Sequence, residues 1–186
     1  MDDIQAINHL KRGDINGLSI LVERYQVRAL RTAYLITQDV KSAEDVVQDA
    51  FLSIYRGIQH FDVRRPFAPW FMRTVVNGAL KIAQRHQRLE PLADEDAGAD
   101  EPTAFLVSDE LPEAIVEAAA QEDEVWDALS LLSPERRAVI VLRFYLDRSE
   151  IEIADALDIP VGTVKSRLHA AKRQLRNLLH NYEKEG

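Results

Sequence analysis

The sequence predicts an all-α fold in which two helical domains are joined by a flexible acidic linker. Apolar residues recur at three- and four-residue steps along most of the chain, as they do on one face of an α-helix. Residues 89–135 hold 15 Asp and Glu and no Lys or Arg, whereas the remainder has 16 acids against 23 Lys and Arg. The net charge of −8 therefore conceals two basic modules and an acidic connector. We expect domains at 1–88 and 112–186 and a linker at 89–111.

Composition limits the classes of protein to consider. A chain of 186 residues that is 46% hydrophobic and 29% charged is typical of a soluble globular protein. It has no Cys, which excludes disulfides and thiolate metal sites. Its start, MDDIQAINHL, has acids where a signal peptide needs cations, and its longest aliphatic run, 138–142, is too short to span a bilayer. We therefore expect a cytoplasmic protein with no membrane insertion.

The first domain begins with a short helix over residues 4–11, which the GDING sequence at 13–17 should end. A longer amphipathic helix follows. The next helix is predicted to begin with Ser42 as its N-cap and two acids in its first turn. Its apolar residues share an inward face, which leaves Asp45, Gln48 and Asp49 on an outward polar ridge.

A basic and aromatic stretch, Phe61 to Arg88, closes this domain. Arg64, Arg65 and two prolines predict a loop, and a helix is predicted to start around Pro69. Basic residues interleaved with aromatics suit single-stranded DNA, because cations follow the phosphates while rings stack on bases. Phe71 is expected in the core.

The second domain is predicted to contain a helix from Pro112 and another with Ser133 as N-cap and Pro at its first position. The sequence ERRAVIVLRFYLD, at 135–147, is apolar nearly all round, which predicts a buried helix.

Residues 149–176 have the pattern of a helix-turn-helix. Ser149 and Glu152 form a predicted capping box, and Asp158-Ile159-Pro160 interrupts the helical pattern. A second helix is predicted from about Val161, with an apolar stripe on one side. The charged residues between Asp158 and Asn181 are all basic, which suits a helix in the major groove. A helical hairpin with a solvated basic face is the alternative. The stripe comprises Val164, Leu168, Ala171, Leu175 and Leu179, and the basic residues are Lys165, Arg167, Lys172, Arg173 and Arg176.

The sequence IADALDIPVGTVKSRLHAAKRQLR resembles the region that recognises the −35 promoter element in bacterial sigma factors of the extracytoplasmic-function (ECF) subgroup. Asp158 stands where many such turns carry Gly, and Asp tolerates a left-handed conformation better than most residues. Ala170 stands where the subgroup often carries Arg. The resemblance implies −35 contacts from Thr163, Lys165, Ser166, Arg167, His169, Lys172 and Arg173.

The stretch from Phe61 to Arg88 resembles the sigma segment that recognises and opens the −10 element. In that family a loop captures a base flipped from the non-template strand, and the loop would lie at about 61–67 here. The residues that the resemblance assigns to −10 recognition and melting are Arg64, Arg65, Phe67, Trp70, Arg73, Asn77, Lys81 and Arg85.

The sequence AEDVVQDAFLSIYR, at 43–56, is similar to the sigma segment that docks on the clamp helices of RNA polymerase. Asp45, Gln48 and Asp49 match its exposed polar positions. Composition alone would favour the alternative that they form an ordinary solvated surface. For the linker, three interpretations stay open: a solvated spacer, a connector threaded through polymerase near the RNA path, or an acidic strap that covers the basic faces in the free protein.

These features together predict an ECF sigma factor: not an enzyme, without metal or cofactor, monomeric when free, with core RNA polymerase, promoter DNA and an anti-sigma factor as partners. One alternative is a stand-alone dimeric helix-turn-helix repressor, which would need palindromic sites. Another is a metal-dependent nuclease using Glu44, Asp45, Asp49 and His60, but adjacent acids at a helix start are better explained by the helix dipole.

Overall fold

The computed structural model of the chain describes residues 1–89 and 123–185, and all regular elements within these ranges are helical. The all-α prediction is confirmed. The predicted linker, apart from Leu89, and the beginning of the helix predicted from Pro112 lie outside the described residues. The elements in chain order are α1 (Asp3–Lys11), α2 (Asn16–Thr37), α3 (Val40–Gly57), a 3-10 turn (Ile58–His60), α4 (Phe67–Leu89), α5 (Asp123–Ser130), α6 (Pro134–Ile140), a π-helical segment (Val141–Tyr145), α7 (Glu150–Leu157) and α8 (Val161–Glu185).

Helices α2, α3 and α4 pack around the core of the first domain, and α1 packs across α2. The predicted break after α1 is present, with Gly13 at a φ of +85°. Gly17 lies at a close approach of α1 and α2, since a Cβ on it would come within 2.2 Å of the Ala6 carbonyl oxygen. Phe71 is fully buried among these helices, as predicted.

Helix α3 begins earlier than predicted. Its N-cap is Asp39, whose carboxylate accepts a hydrogen bond from the Ser42 backbone N–H at 2.8 Å. Ser42 is therefore the third residue of the helix, and the prediction of Ser42 as the cap is wrong. The first turn consequently contains no acid. Asp39 is favoured as the N-cap because Gln38, at a φ of 59°, ends α2 in a left-handed conformation, and the chain enters α3 directly after it.

The second domain is built around α6 and the π-helical segment. Ser133 caps α6 and Pro134 is its first residue, as predicted. Val141 and Leu142 at the start of the π-helical segment are buried, but Phe144 near its end is 62% exposed. The expectation that residues 135–147 are buried nearly all round is therefore wrong for the last turn. The wider π-helical turn, closed by a hydrogen bond from Leu146 N–H to the Val141 carbonyl at 3.0 Å, changes which side chains face inward.

The two domains pack against each other, and their buried apolar side chains form one continuous cluster. Arg137, only 7% exposed, lies at this junction. Its guanidinium donates to the Ile36 carbonyl at the end of α2 at 2.8 Å, and also to carbonyls at the end of α5 and in the turn that follows. The rings of Tyr34 in α2 and Trp126 in α5 also pack across this junction, with centroids 4.6 Å apart. The contact thus joins α2 of one domain to α5 and α6 of the other.

Candidate nucleic-acid and protein interfaces

The helix-turn-helix consists of α7 and α8. Ser149 Oγ accepts from the Glu152 N–H at 3.2 Å, and the Glu152 carboxylate accepts from the Ser149 N–H at 2.8 Å, which confirms the predicted capping box. These hydrogen bonds lower the pKa of Glu152. Asp158 has a φ of 53° and ends α7 in the left-handed conformation that its side chain tolerates. Ile153 and Val164 are fully buried and hold the two helices together.

The outward face of α8 is open to solvent. Lys165, Ser166, His169, Lys172 and Arg173 are exposed, whereas Thr163 and Arg167 are half-buried. Several of these side chains are already oriented by neighbours. Ser166 Oγ donates to the Thr163 carbonyl at 3.0 Å, the Lys165 ammonium lies 3.9 Å from the Glu150 carboxylate, and Lys172 lies 5.3 Å above the Phe144 ring. All seven residues assigned to −35 recognition thus lie on one helix, and five of them face solvent.

Arg167, like Lys165, has a carboxylate in its surroundings, in this case Glu135 of α6. Burial by itself would raise the pKa of Glu135. Hydrogen bonds with Gln84, its own backbone and Ser133, together with the positive charge of Arg167, outweigh this effect. The resulting pKa is below its usual value, so Glu135 is ionised at neutral pH. Arg167 therefore has a carboxylate neighbour within its own domain.

The loop between the 3-10 turn and α4 presents Arg64 and Arg65 to solvent. The Arg64 side chain, 87% exposed, donates through Nε and Nη2 to both carboxylate oxygens of Asp62 at 2.9 Å. Hydrogen bonds from the Arg64 side chain and backbone lower the pKa of Asp62 to about 2. The planar guanidinium is thereby held at the loop surface in a fixed orientation.

Aromatic rings pack against one another on the inner side of this loop. Phe61 lies 4.6 Å from Trp70 and 5.9 Å from Phe67, centroid to centroid. Phe67 is only 3% exposed and also packs against Tyr25 and Phe71. Its ring is unavailable to a flipped base in this conformation, contrary to its assignment as a DNA contact, because it is the first residue of α4 and points into the core. Trp70 is half-buried.

Helix α4 carries an exposed polar stripe, which we define as Arg73, Asn77, Lys81 and Arg85. These residues recur at four-residue steps, so they lie along one side of the helix. The opposite side, including the fully buried Val75 and Val76, faces the core. The four residues predicted for −10 recognition on this helix therefore share one surface.

Part of the stripe contacts α7 of the second domain. Arg73 Nη1 lies 3.2 Å from a carboxylate oxygen of Asp155, and Asn77 Nδ2 donates to the Ala156 carbonyl at 2.9 Å. Further along α4, Gln84 Nε2 donates to the Glu135 carboxylate at 2.7 Å. Asp155 and Ala156 were not predicted as contacts of α4, because no local pattern in the sequence of α7 indicates which other helix it packs against.

The polar ridge of α3 is exposed at Asp45, Gln48 and Asp49, as the sequence analysis expected. It continues into two exposed side chains that were not predicted as part of it, Leu52 at 42% and Tyr55 at 49% exposed. Their positions could have been found by extending the three- and four-residue spacing of the ridge beyond Asp49. A shallow depression beside Asp49 is lined by Leu52, Ser53, Arg56 and Gly57.

Over residues 1–89 and 123–185, no group of three or more His, Asp and Glu side chains is arranged to hold a metal ion. Within the same part of the chain, none of the helices combines the length and the apolar character needed to cross a membrane.

Models of two protein families match the chain. The model for sigma-70 region 2 matches residues 21–89, and the model for sigma-70 region 4 matches residues 122–175. The first match contains α3 and α4, and the second contains α7 and the part of α8 up to residue 175.

Curated relatives match over almost the full length. The chain is 32% identical to the ECF RNA polymerase sigma factor SigW of Bacillus subtilis, over 95% of this chain and 96% of that protein. It is 31% identical to the ECF RNA polymerase sigma-E factor of Haemophilus influenzae, over 95% of each chain.

Two solved structures share the fold. CnrH in complex with the cytosolic domain of CnrY matches with a TM-score of 0.65 and 23% identity, over 96% of this chain and 97% of that one. The sigma factor RpoE of Bartonella quintana, in complex with the anti-sigma factor NepR, matches with a TM-score of 0.62 and 21% identity, over 87% and 96% of the two chains.

Proposed function

Because the chain belongs to the extracytoplasmic-function subgroup of the sigma-70 family, we propose that it binds core RNA polymerase and directs initiation at promoters with −35 and −10 elements. The observation that carries this proposal is the presence of one exposed cationic surface on each domain, on α4 and on α8. A bipartite promoter needs two such surfaces on one molecule.

The −35 element is contacted by α8. A helix of this kind fits the major groove, where its early residues meet base edges and its later cations meet phosphates. Thr163, Lys165 and Ser166 lie in its first two turns, and Lys172 and Arg173 follow two turns later. The solvent exposure of this face supports the assignment.

The −10 element is contacted by the polar stripe of α4 and by the loop that carries Arg64 and Arg65. The oriented guanidinium of Arg64 suits a phosphate, and the Asn77 amide suits a base edge. Capture of an unstacked base offsets the cost of opening the duplex, since stacking on an aromatic side chain contributes about 1–3 kcal/mol per base. Trp70 is half-buried and available for that stacking, whereas Phe67 acts from the core by positioning the loop.

Core polymerase binds the ridge of α3. Acidic side chains at Asp45 and Asp49 suit a basic partner and orient its approach, while Leu52 and Tyr55 add apolar area to the same surface. A protein of the anti-sigma class is a further partner, a proposal supported by the fold shared with sigma factors solved as complexes with CnrY and NepR.

The double charge reversal Asp45→Lys/Asp49→Lys tests the polymerase-binding assignment. We expect affinity for purified core polymerase, measured by fluorescence anisotropy of the labelled protein, to fall at least about tenfold, because like charges then face each other. The matched control is Glu23→Lys/Asp127→Lys, which reverses two exposed acids elsewhere and should bind like wild type. Equal affinity of the two double variants would show that the ridge is ordinary surface.

A further inference from the structure

The loop that carries Arg64 and Arg65 begins beside the end of α1. Lys11, the last residue of α1, donates from Nζ to the Phe61 carbonyl at 2.7 Å. In the opposite direction, Gln59 Nε2 in the 3-10 turn donates to the Lys11 carbonyl at 2.7 Å. That carbonyl is one of the last four in α1, which have no partner within the helix. The two hydrogen bonds therefore join the end of α1 to the beginning of the loop.

We propose that Lys11 and Gln59 are positioning residues for −10 recognition, because they fix the beginning of the loop whose arginines contact the strand. The inference rests on the proposed role of that loop and deepens it. Lys11 and Gln59 act through the loop and do not bind DNA themselves. Helix α1, which carries none of the residues assigned to DNA or polymerase, thereby takes part in promoter recognition.

Phe61 is the point from which the loop is oriented. Its ring is only 6% exposed and packs against Trp70 and Phe67. Its backbone N–H donates to the Ile58 carbonyl at 3.1 Å, and its carbonyl accepts from Lys11. The side chain and both backbone polar groups of this residue are thus held at the same time.

The orientation of Phe61 is passed to Arg64 through Asp62. The Phe61 carbonyl and the Asp62 N–H belong to one planar peptide group, so the bond from Lys11 restrains the direction of the chain at this point. The Asp62 carboxylate accepts from the Arg64 N–H at 3.1 Å and from Arg64 Nε at 2.9 Å. The Asp62 carbonyl accepts from the Arg65 N–H at 3.0 Å. A rotation of that peptide group would therefore move both arginines.

Helix α1 can support the loop because it is itself fixed to α2. At the first residue of α1, the Asp3 carboxylate accepts from the Tyr25 hydroxyl and pairs with Arg24. On its inner face, Ile7 and Leu10 are buried in the core. Loss of the two contacts between α1 and the loop should therefore free the loop and leave α1 in place.

The variants Lys11→Met and Gln59→Met remove one donor each and keep most of the apolar part of the side chain. We expect the holoenzyme, assembled with core RNA polymerase, to bind a fluorescein-labelled single strand with the −10 sequence of a promoter selected by transcription less tightly. Fluorescence anisotropy should show a loss of about three- to tenfold for Lys11→Met, whose donor is charged and half-buried, and about twofold for the exposed Gln59. Lys11→Arg should retain most of the affinity, since a guanidinium also donates.

Two controls separate the position of the loop from the charge of the protein. Gln59→Met leaves the net charge unchanged, so its loss cannot come from weaker attraction to phosphate. Lys41→Met makes the same change as Lys11→Met at an exposed position of α3 and should bind the strand like wild type. Affinity for core polymerase should be unchanged in Lys11→Met and Gln59→Met. A loss in Lys41→Met as large as that in Lys11→Met would reduce the effect to net charge and overturn the inference.

A double-mutant cycle with Arg64→Ala shows whether Lys11 acts through the loop. If it does, Lys11→Met loses less affinity in the Arg64→Ala background than in wild type, because part of what Lys11 positions is already absent. If the two losses multiply instead, Lys11 contacts the strand directly, and the positioning role is refuted.

The outcomes distinguish this inference from the proposed function. If Arg64→Ala and Arg65→Ala both bind the strand like wild type, the −10 role of the loop fails, and the inference fails with it. If either arginine variant weakens strand binding while Lys11→Met and Gln59→Met bind like wild type, the role of the loop stands and the positioning role is refuted.

Discussion

Arg137 is a buried residue that joins the two domains by hydrogen bonds. Its guanidinium is buried and donates to four backbone carbonyls, one at the end of α2 and three at the end of α5 and the turn that follows. Carbonyls at a helix C-terminus have no partner within the helix and carry the negative end of its dipole. A cation placed there satisfies acceptors from both domains at once.

Replacing Arg137 with Met should lower the free energy of unfolding by about 3 kcal/mol, because buried carbonyls then lose their donors. Arg137→Lys should lose part of this amount, since it keeps the charge without the planar fork. Urea unfolding followed by circular dichroism measures the change. The control is Arg65→Met, at an exposed loop position, which should change stability by less than about 0.5 kcal/mol. A loss equal to that of the control would exclude the proposed role of Arg137.

Local signals predicted several individual residues correctly, although the local rule that placed the cap of α3 at Ser42 failed. Ser149, Glu152 and Asp158 follow rules that involve only their near neighbours along the chain, and the structure agrees with each. Arg137 was not predictable, since its partner Ile36 lies 101 residues away. Phe67 was assigned to DNA from a resemblance, and its burial depends on the packing of four other aromatic rings.

At the scale of helices, the amphipathic pattern determines which face of each element points outward. The pattern correctly separates the buried face of α3 from the ridge at Asp45, Gln48 and Asp49. It fails at the end of the π-helical segment, because the wider turn changes the angle between successive residues and exposes Phe144. Periodicity alone cannot reveal a change of helix type.

The start of α3 offers a test at this scale, because two residues could have been its cap. Asp39→Ala should lower the free energy of unfolding by about 1 kcal/mol, since the Ser42 N–H loses its acceptor. Ser42→Ala keeps the N–H and should cost less than half as much. Thermal unfolding of the two variants under identical conditions gives the comparison. A larger loss for Ser42→Ala would indicate that the cap lies where the sequence pattern placed it.

At the scale of the whole molecule, the distribution of charge matters more than its net value. Each domain presents an exposed cationic helix face, although the chain carries a net charge of −8. The order of the segments along the chain could be predicted from composition and motifs. The docking of α7 on α4 could not, because it depends on the complementary shapes of two surfaces that are distant in sequence.

Run-off transcription with purified protein and core RNA polymerase on an asymmetric promoter tests the central claim, that one copy of the chain recognises two promoter elements through α8 and α4. We expect Lys165→Ala/Ser166→Ala to reduce transcript at least about tenfold through lost −35 contacts, while affinity for core polymerase stays unchanged. Asn77→Ala should reduce it through the −10 element. Transcription that survives both variants, or a joint loss of transcription and polymerase binding, would contradict the account.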